Sequence, residues 1–481
     1  MSAYGMITHD IDSGLFEPDW TVDPSVSAME GIIRRYFHVP DRAPCNIVIT
    51  LVPWRYDRLE KKEYDVEAEG LRYRLRVALP LGLPHSILSE VATVRWIRQE
   101  TNIPTPEVLA FNPSADGDND LRFPWMLLEV IPGHDFGQKW KTISMEKKED
   151  VVKTLAAFQA ELYEKPFTSI GSIFDDSTSV VSTHGHLPYT FHVGQIQAKE
   201  FLDPTINVPR GPFRNTFYWL NSDLNPGSTD RMGCLGYSMD AEDGEDVKDD
   251  AYPILKLDVA SMDPFRRVVA NTFPRSTPVE TTRLLLPDFE PGDVVIDDHG
   301  KVLALLDWSY AVVVPVWLSC RVPDMISIRP RYVRPEKTSY PCPPHPDCTE
   351  GGCESYWADL HEWEDTVLQA VFLDEMRQIK PGWMRHYEDG AYRRAIIYAI
   401  KIYMDRNSEA SLLRGEVPLS GTQSAEEVRA EWDSWSMHGE SDDDSAVGGS
   451  DTEEEGGETG LSDIESTFSE QMDDEDDDDR I

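Results

Sequence analysis

An aspartate-rich segment lies near the middle of the chain and reads LLLPDFEPGDVVIDDHGKVLALLDW, from Leu284 to Trp308. Two apolar, strand-like runs within it flank the turn-forming sequence Asp-Asp-His-Gly, and this pattern predicts a short β-hairpin. Asp288 and Asp293 precede the hairpin, and Asp307 follows its second strand. Carboxylates at these places suit a magnesium-dependent phosphoryl transferase, which uses one as a base and others as metal ligands.

Size and charge exclude several classes of protein. A chain of 481 residues can bury a large core and predicts one two-lobed domain, or two domains, with tails. The net charge of −42 argues against duplex nucleic acid as a partner, since its binding relies on clustered Lys and Arg. No apolar run approaches the roughly 18 residues of a membrane helix, and the N-terminus is not a secretory signal. The six cysteines are too scattered for a disulfide scaffold, so we expect a cytoplasmic protein with no membrane contact.

The order of predicted elements indicates an α+β protein. Residues 1–25 predict an irregular arm, and a short helix with Met29, Ile32 and Ile33 on one face follows it. Strands are predicted over 45–52, 71–79 and 123–131, and a helix over 86–99. The charged stretch 57–70 reads as an exposed connection between the first two strands. From about residue 144 the pattern becomes mostly helical, and an amphipathic segment is marked by Val151, Leu155, Phe158 and Leu162. Further helices are predicted over about 213–224, 262–271, 356–377, 392–405 and 425–435.

The last segment, residues 437–481, is strongly acidic. It holds 19 Asp or Glu and one Arg, with few large apolar residues. Such a composition cannot bury enough apolar surface to offset the loss of chain entropy. We therefore predict a disordered acidic tail.

Several stretches, taken in order, resemble a known family. They are YRLRVALPLGLPHSILSEVATVRWIRQETNIPTPEVLAF, FPWMLLEVIPG, VPRGPFRNTFYWL, the aspartate hairpin, and VVPVWLSC. Together they resemble the fungal branch of the aminoglycoside phosphotransferase (APH)/choline kinase-like family, whose fold is similar to that of protein kinases. The resemblance implies a small β-rich N-lobe over 26–132 and a larger helical C-lobe over 133–436. The C-lobe contains the hairpin, 284–308, and a Cys/Pro-rich insertion, 335–355.

The resemblance also implies roles for individual residues. Asp288 matches the catalytic base, and Asp307 matches the aspartate that binds magnesium. Arg76 stands where protein kinases carry a lysine, and Glu90 matches its partner glutamate on the following helix. The nucleotide is expected against residues 128–131, so Glu129 and Ile131 join Arg76 and Glu90 as nucleotide-binding candidates. The implied function is phosphorylation of a hydroxyl on a small molecule, with ATP and Mg²⁺ required.

Two positions depart from the family pattern and support a rival interpretation. Leu286 replaces a histidine that usually braces the catalytic loop by hydrogen bonding. Asp293 replaces an asparagine; it can still bind magnesium, but it adds negative charge where phosphates must approach. The alternative function is a catalytically impaired, kinase-like binding module. Phosphorylation of a protein substrate is a third, less supported interpretation.

Each candidate also has a purely structural interpretation. The three aspartates could be turn and capping residues. Arg76 could be an exposed strand cation like Arg74, and Glu90 a solvated helix residue.

A second cluster of potential ligands lies in the Cys/Pro-rich insertion. Cys342, His345, Cys348 and Cys353 form a C-x2-H-x2-C-x4-C pattern that could bind Zn²⁺. The alternative is an inert, proline-rich insertion.

Overall fold

The structure is a computed structural model that describes twelve segments of the chain. These are residues 6–9, 16–39, 47–52, 60–80, 85–117, 119–176, 188–198, 209–223, 265–285, 290–326, 330–340 and 354–397. For residues 6–9, 16–19, 223 and 354 it describes the backbone alone. Within these segments, no helix is both long and apolar enough to cross a bilayer.

The described segments contain fourteen strands, ten α-helices and three short 3₁₀ turns. The strands are β1 (Met6–His9), β2 (Phe16–Asp19), β3 (Ile47–Leu51), β4 (Lys61–Ala68), β5 (Leu71–Ala78), β6 (Val108–Asn112), β7 (Trp125–Glu129), β8 (His134–Asp135), β9 (Ser172–Asp175), β10 (Phe191–Gly194), β11 (Thr282–Leu285), β12 (Val294–Ile296), β13 (Val302–Leu305) and β14 (Val312–Pro315). The helices are α1 (Val26–Tyr36), α2 (Ser86–Glu100), α3 (Phe136–Lys139), α4 (Met145–Tyr163), α5 (Thr216–Asp223), α6 (265–272), α7 (Val316–Ser319), α8 (Glu354–Ile379), α9 (Pro381–Asp389) and α10 (391–397).

A five-stranded antiparallel sheet forms the N-terminal part, in the order β3-β4-β5-β7-β6. Successive side chains of a strand point to opposite faces, so each face of the sheet can cover a different helix. On one face, Leu75 and Leu127 pack against Met29 of α1. On the other face, Met126 belongs to the same apolar cluster as Val91 of α2.

The C-terminal part is mostly helical, and its core joins α4 to α8. Val151 and Leu155 of α4 share one buried cluster with Leu368 and Phe372 of α8. Apolar side chains recur at helical spacing in both helices, which is why these faces become buried. The α+β class, with an antiparallel sheet before a helical region, is confirmed.

The predicted aspartate hairpin is present as β12 and β13, which pair antiparallel, with β8 against the other edge of β12. Asp297 stabilises the turn, because its Oδ1 accepts the backbone N–H groups of His299 at 2.8 Å and Lys301 at 2.9 Å. Gly300 has a φ of +87°, a left-handed conformation that glycine adopts without steric cost. The local sequence therefore accounts for the hairpin.

The prediction of an exposed connection over 57–70 is wrong, because β4 occupies most of it. β4 pairs with β3 on one side and β5 on the other, so it lies inside the sheet. Tyr64, Val66 and Ala68 alternate with polar residues and are buried in the core. The charged residues between them hide this two-residue alternation in the sequence. Burial of the three side chains stabilises the strand.

Short strands were also missed elsewhere. The arm predicted as irregular contains β1 and β2, which pair antiparallel. The region predicted as mostly helical contains two antiparallel pairs, β9 with β10 and β11 with β14. Each of these strands has four residues, which is too short to distinguish the two-residue period of a strand from the 3.6-residue period of a helix.

Candidate functional site

Arg76 and Glu90 form a buried ion pair between the sheet and α2. Exposure falls along the Arg face of β5, from 66% at the Arg72 side chain to 28% at Arg74 and 5% at Arg76. Nη1 of Arg76 donates to Oε1 of Glu90, whose side chain is also 5% exposed. The structure thus contains the ion pair expected from the sequence. The interpretations of Arg76 as an exposed cation and of Glu90 as a solvated residue are wrong.

Arg76 contacts two further carboxylates. Its Nε and Nη2 each lie 2.8 Å from Oε1 of Glu63, and Nη1 lies 3.4 Å from Oδ1 of Asp307. Burial alone lowers the pKa of Arg76, but the carboxylates of Glu90, Asp307 and Glu63 raise it well above its ordinary value. For Glu63, burial alone raises the pKa, but the guanidiniums of Arg76 and Arg74 outweigh burial and bring that pKa to about 2. Arg76 is therefore the centre of a charged, buried network.

Asp307 is held at the end of β13 by its own neighbours. Its Oδ1 accepts the backbone N–H of Ser309 at 2.9 Å and also the Ser309 hydroxyl. Between them, Trp308 is 1% exposed and donates its indole N–H to Oγ1 of Thr105 at 3.0 Å. This anchored turn directs the Asp307 carboxylate toward Arg76, although 231 residues separate the two in sequence.

Lys61 is a second buried cation in the same place. It begins β4, is 8% exposed, and lies with its Nζ 3.5 Å from Oε2 of Glu90. Nζ also donates to Oγ of Ser309 and lies 4.7 Å from the centroid of the Tyr310 ring. The Tyr310 hydroxyl donates to Oε1 of Glu60 at 3.1 Å.

Lys61, Arg76, Glu90 and Ser309 line one small cavity between the sheet, α2 and the segment after β13. Glu63 and Asp307 contact Arg76 without lining the cavity. We call these six residues the cleft cluster. The rest of the lining is polar at Glu60, Ser86 and Tyr310 and apolar at Ala78, Leu79, Ile87 and Met126. Apolar walls with a few convergent polar groups are the usual form of a small-molecule site.

Asp293 has a structural role that can be seen directly. It ends a short 3₁₀ turn, Pro291–Asp293, is 2% exposed, and its Oδ2 accepts the backbone N–H of Glu290 at 3.1 Å. Its backbone oxygen accepts the N–H of Leu306 at 2.9 Å, which places Asp293 beside the residue that precedes Asp307. The capping role foreseen as an alternative is thus present, and a metal role stays a prediction.

The catalytic-base candidate, Asp288, lies outside the described residues, as does Leu286. The nearest described elements on either side of them are β11, which ends at Leu285, and the 3₁₀ turn, which begins at Pro291. The zinc candidates Cys342, His345, Cys348 and Cys353 and the tail 437–481 also lie outside the described residues.

The remaining nucleotide candidates lie at the end of β7. Glu129 is exposed, and its Oε2 accepts the backbone N–H of Glu107 at 3.1 Å. Ile131 is half-buried in the following segment. The structure places neither side chain in the lining of the cleft-cluster cavity. Their assignment to nucleotide binding stays a prediction.

Comparison with known sequences finds fungal relatives. A subtelomeric hrmA-associated cluster protein of Aspergillus fumigatus is 24% identical over 146 residues, which are 29% of this chain and 28% of that protein. Altered inheritance of mitochondria protein 9 of Eremothecium gossypii is 22% identical over 338 residues, 62% of this chain and 54% of that protein. The chain thus spans about a quarter to a half of the length of these curated relatives. No family model matches it.

Among solved structures, one similar protein comes from Ralstonia eutropha, at 11% identity and a TM-score of 0.41, covering 86% of this chain and 99% of that one. Another is a thermostable mutant of APH(4)-Ia in a ternary complex with AMP-PNP and hygromycin B, at 12% identity and a TM-score of 0.32, covering 78% of this chain and 98% of that one. Both were assigned as aminoglycoside phosphotransferases. Both TM-scores lie below 0.5.

The donor set is compatible with magnesium as a partner of bound phosphates. Among the described residues, no three acidic, histidine or cysteine side chains converge on one metal position. Magnesium, however, commonly uses one or two protein carboxylates and takes its other ligands from phosphates and water. Asp307, with Asp293 beside the same strand end, supplies oxygen donors of this kind. The residues therefore fit the metal as it occurs in nucleotide sites.

Sequence reasoning missed Lys61, Glu63 and Ser309. The alternation of Tyr64, Val66 and Ala68 was the available signal, because it makes 61–68 a strand and puts Glu63 beside Arg76 in its register. Ser309 carried no such signal, since its contacts come from residues far away in sequence.

Proposed function

We propose that this protein is a kinase-like phosphotransferase that moves the γ-phosphoryl group of ATP to a hydroxyl on a small molecule. One observation carries most of the proposal: the buried Arg76–Glu90 pair is joined to Asp307, which follows a strand of the aspartate hairpin. A strand cation, a helix glutamate and a strand-end aspartate are the parts that position a nucleotide and its metal in kinases. The sequence resemblance assigns the same three roles to the same residues.

In this proposal, each residue has a defined task. Arg76 and Glu90 order the phosphate end of the cleft, and the segment containing Glu129 and Ile131 receives the adenine. Asp288 orients the acceptor hydroxyl and takes its proton. Asp307 and Asp293 hold magnesium, which neutralises charge on the phosphates when it is bound.

The first test measures nucleotide binding. Thermal unfolding is followed with millimolar ATP, with and without magnesium, and we expect a magnesium-dependent rise in Tm because a ligand of the native state stabilises it. Asp307→Asn should lose the magnesium-dependent part. Asp298→Asn is the matched control, since Asp298 lies in the same hairpin but its side chain is 86% exposed. No shift with the native protein would refute the proposal.

A second candidate function is a binding module that holds nucleotide without transferring phosphate. The capping bond from Asp293 to the Glu290 backbone favours it, because that carboxylate already has a structural use. ATP hydrolysis and acceptor phosphorylation separate the two candidates. If the protein is an enzyme, the native protein turns over ATP, and Asp288→Asn abolishes turnover while nucleotide binding persists. If it is a binding module, the native protein and the Asp288→Asn variant bind nucleotide equally, and neither turns it over.

The acceptor and the compartment are also proposals. The acidic chain suits a cationic acceptor, which the cleft would attract electrostatically. A cytoplasmic location stays a prediction from the sequence, since the name of the Eremothecium gossypii relative places that protein in mitochondria.

A further inference from the structure

The cleft contains two cations, and they differ in how many carboxylates each serves. Arg76 contacts Glu63, Glu90 and Asp307. A guanidinium can donate in several directions at once, which suits it to bridging several acids. An anionic phosphate that approached Arg76 would meet three carboxylates around the same group, and their repulsion would oppose binding.

Lys61 is in a different situation. Among the described residues, Glu90 is the one carboxylate within ion-pair distance of Lys61, and Nζ lies 3.5 Å from it. Glu90 is also shared, because its other oxygen binds Arg76. Lys61 is therefore less neutralised than Arg76, although both are buried and both line the same cavity.

The remaining contacts of Lys61 are exchangeable. Nζ donates to the Ser309 hydroxyl, a neutral group that can accept from other donors. A lysine ammonium is a compact charge on a flexible four-carbon stem, so a small rotation of the stem can carry it to a phosphate oxygen. Lys61 also shares its sheet face with Glu63 and Arg76, one alternation beyond Glu63 along β4.

We propose that Lys61, rather than Arg76, is the cation that contacts the phosphates of the nucleotide, and that Arg76 is a positioning residue. Arg76 acts through Glu90, which lines the cavity, and through Asp307, and it connects these two acids from distant parts of the chain. This division of roles rests on the proposed nucleotide binding, and it assigns a ligand contact to a residue with no sequence motif.

The test compares two neighbouring lysines of β4. Lys61→Met removes the cleft ammonium. Lys62→Met is the matched control, because Lys62 lies on the opposite face, paired with Asp23 and stacked on Trp20. Dissociation constants are measured for magnesium ATP and for adenosine. The Lys61→Met variant loses one charge-assisted contact, so it should bind ATP about 10- to 100-fold more weakly than the native protein and bind adenosine equally well. Lys62→Met should bind both as the native protein does.

Other results overturn the proposal in distinguishable ways. Unchanged ATP affinity in Lys61→Met, or equal losses for ATP and adenosine, excludes a phosphate contact while leaving the proposed function standing. A native protein that binds neither ligand refutes the proposed function and this inference together.

A measurement on the native protein covers the case in which Lys61→Met does not fold. Pyridoxal phosphate, an amine-reactive phosphate, is added, the imines are reduced with borohydride, and the modified lysines are identified by mass spectrometry. We expect magnesium ATP to protect Lys61 and to leave the labelling of Lys62 unchanged. Absence of labelling at Lys61, or labelling that ATP does not reduce, overturns the proposal.

Discussion

Two clusters of buried charge lie in the described part of the chain, and they solve the problem of burying carboxylates differently. The first is the cleft cluster. The second, which we call the helix cluster, consists of Lys148 on α4 with His361, Glu364 and Asp365 on α8. Lys148 Nζ lies 2.5 Å from Oε2 of Glu364, the one acid within ion-pair distance of it among the described residues.

The two clusters differ in the supply of cations. Asp365 is 1% exposed, and neither of its oxygens has a hydrogen-bond partner within the described residues. Burial, followed by the charge of Glu364, raises the pKa of Asp365 to about 7. In the cleft cluster, Arg76 and Arg74 outweigh burial and lower the pKa of Glu63 to about 2. Nearby cations, as well as burial, therefore decide the charge state of a carboxylate.

The largest expected effect comes from removing the shared cation of the cleft cluster. Arg76→Met leaves Glu63, Glu90 and Asp307 without their common partner, and an uncompensated buried charge costs about 3–5 kcal/mol. Chemical denaturation at pH 7 measures the change in the free energy of unfolding. Arg72→Met, on the exposed end of the same strand, should change it by less than about 1 kcal/mol. Equal effects would contradict the central role of Arg76.

In the helix cluster, the contribution of Asp365 to stability should decrease as pH rises. Because the folded pKa of Asp365 is above its ordinary 3.8, its contribution to stability is fully present below pH 3.8 and is lost as pH rises through about 7. Asp365→Asn removes this loss and should raise the free energy of unfolding at pH 8 by up to about 4 kcal/mol, at about 1.4 kcal/mol per pKa unit. Its effect at pH 4 should be much smaller.

Denaturation at several pH values tests this expectation, with Asp374→Asn as the control. Asp374 lies on the same helix with a side chain that is 67% exposed. If Asp365→Asn changed stability equally at pH 4 and pH 8, the raised pKa would be refuted.

The contribution of Glu63 to stability should instead decrease as pH falls. Its folded pKa is depressed, so its contribution is present above its ordinary 4.5 and is lost as pH falls through about 2. Glu63→Gln should lower the free energy of unfolding at pH 7 by about 1–3 kcal/mol, and the difference should shrink toward pH 2. Glu67→Gln, an exposed position on the same strand, should have little effect at either pH. A loss in Glu63→Gln that is independent of pH would disprove the ionic explanation.

The smallest expected effect concerns the turn of the hairpin that delivers Asp307. Gly300→Ala places a Cβ at φ +87°, 3.1 Å from Cβ of Lys147, and should destabilise the fold by about 1 kcal/mol. Gly31→Ala in α1 is the contrasting variant, since nothing lies within 4 Å of its Cβ, and it should stabilise by about 0.5–1 kcal/mol. Thermal unfolding distinguishes the two, and the same sign for both would contradict the backbone argument.

The elements that sequence predicted well are those whose signal is local. The hairpin β12-β13 carries two apolar runs around a turn that Asp297 and Gly300 favour, and α2 carries an apolar stripe at helical spacing. β4 was missed because its charged residues hide the alternation, and the partners that bury Lys61 lie as far as 248 residues away. Local patterns do not report such contacts.

Short-range patterns in the sequence account for the α+β class, for the hairpin that Asp307 follows and for the face of β5 that carries Arg76. The burial of the charged residues, and the sharing of cations among the acids, depend on contacts between distant parts of the folded chain. A carboxylate or an ammonium becomes buried when distant elements supply its partners, and that supply is a property of the assembled fold.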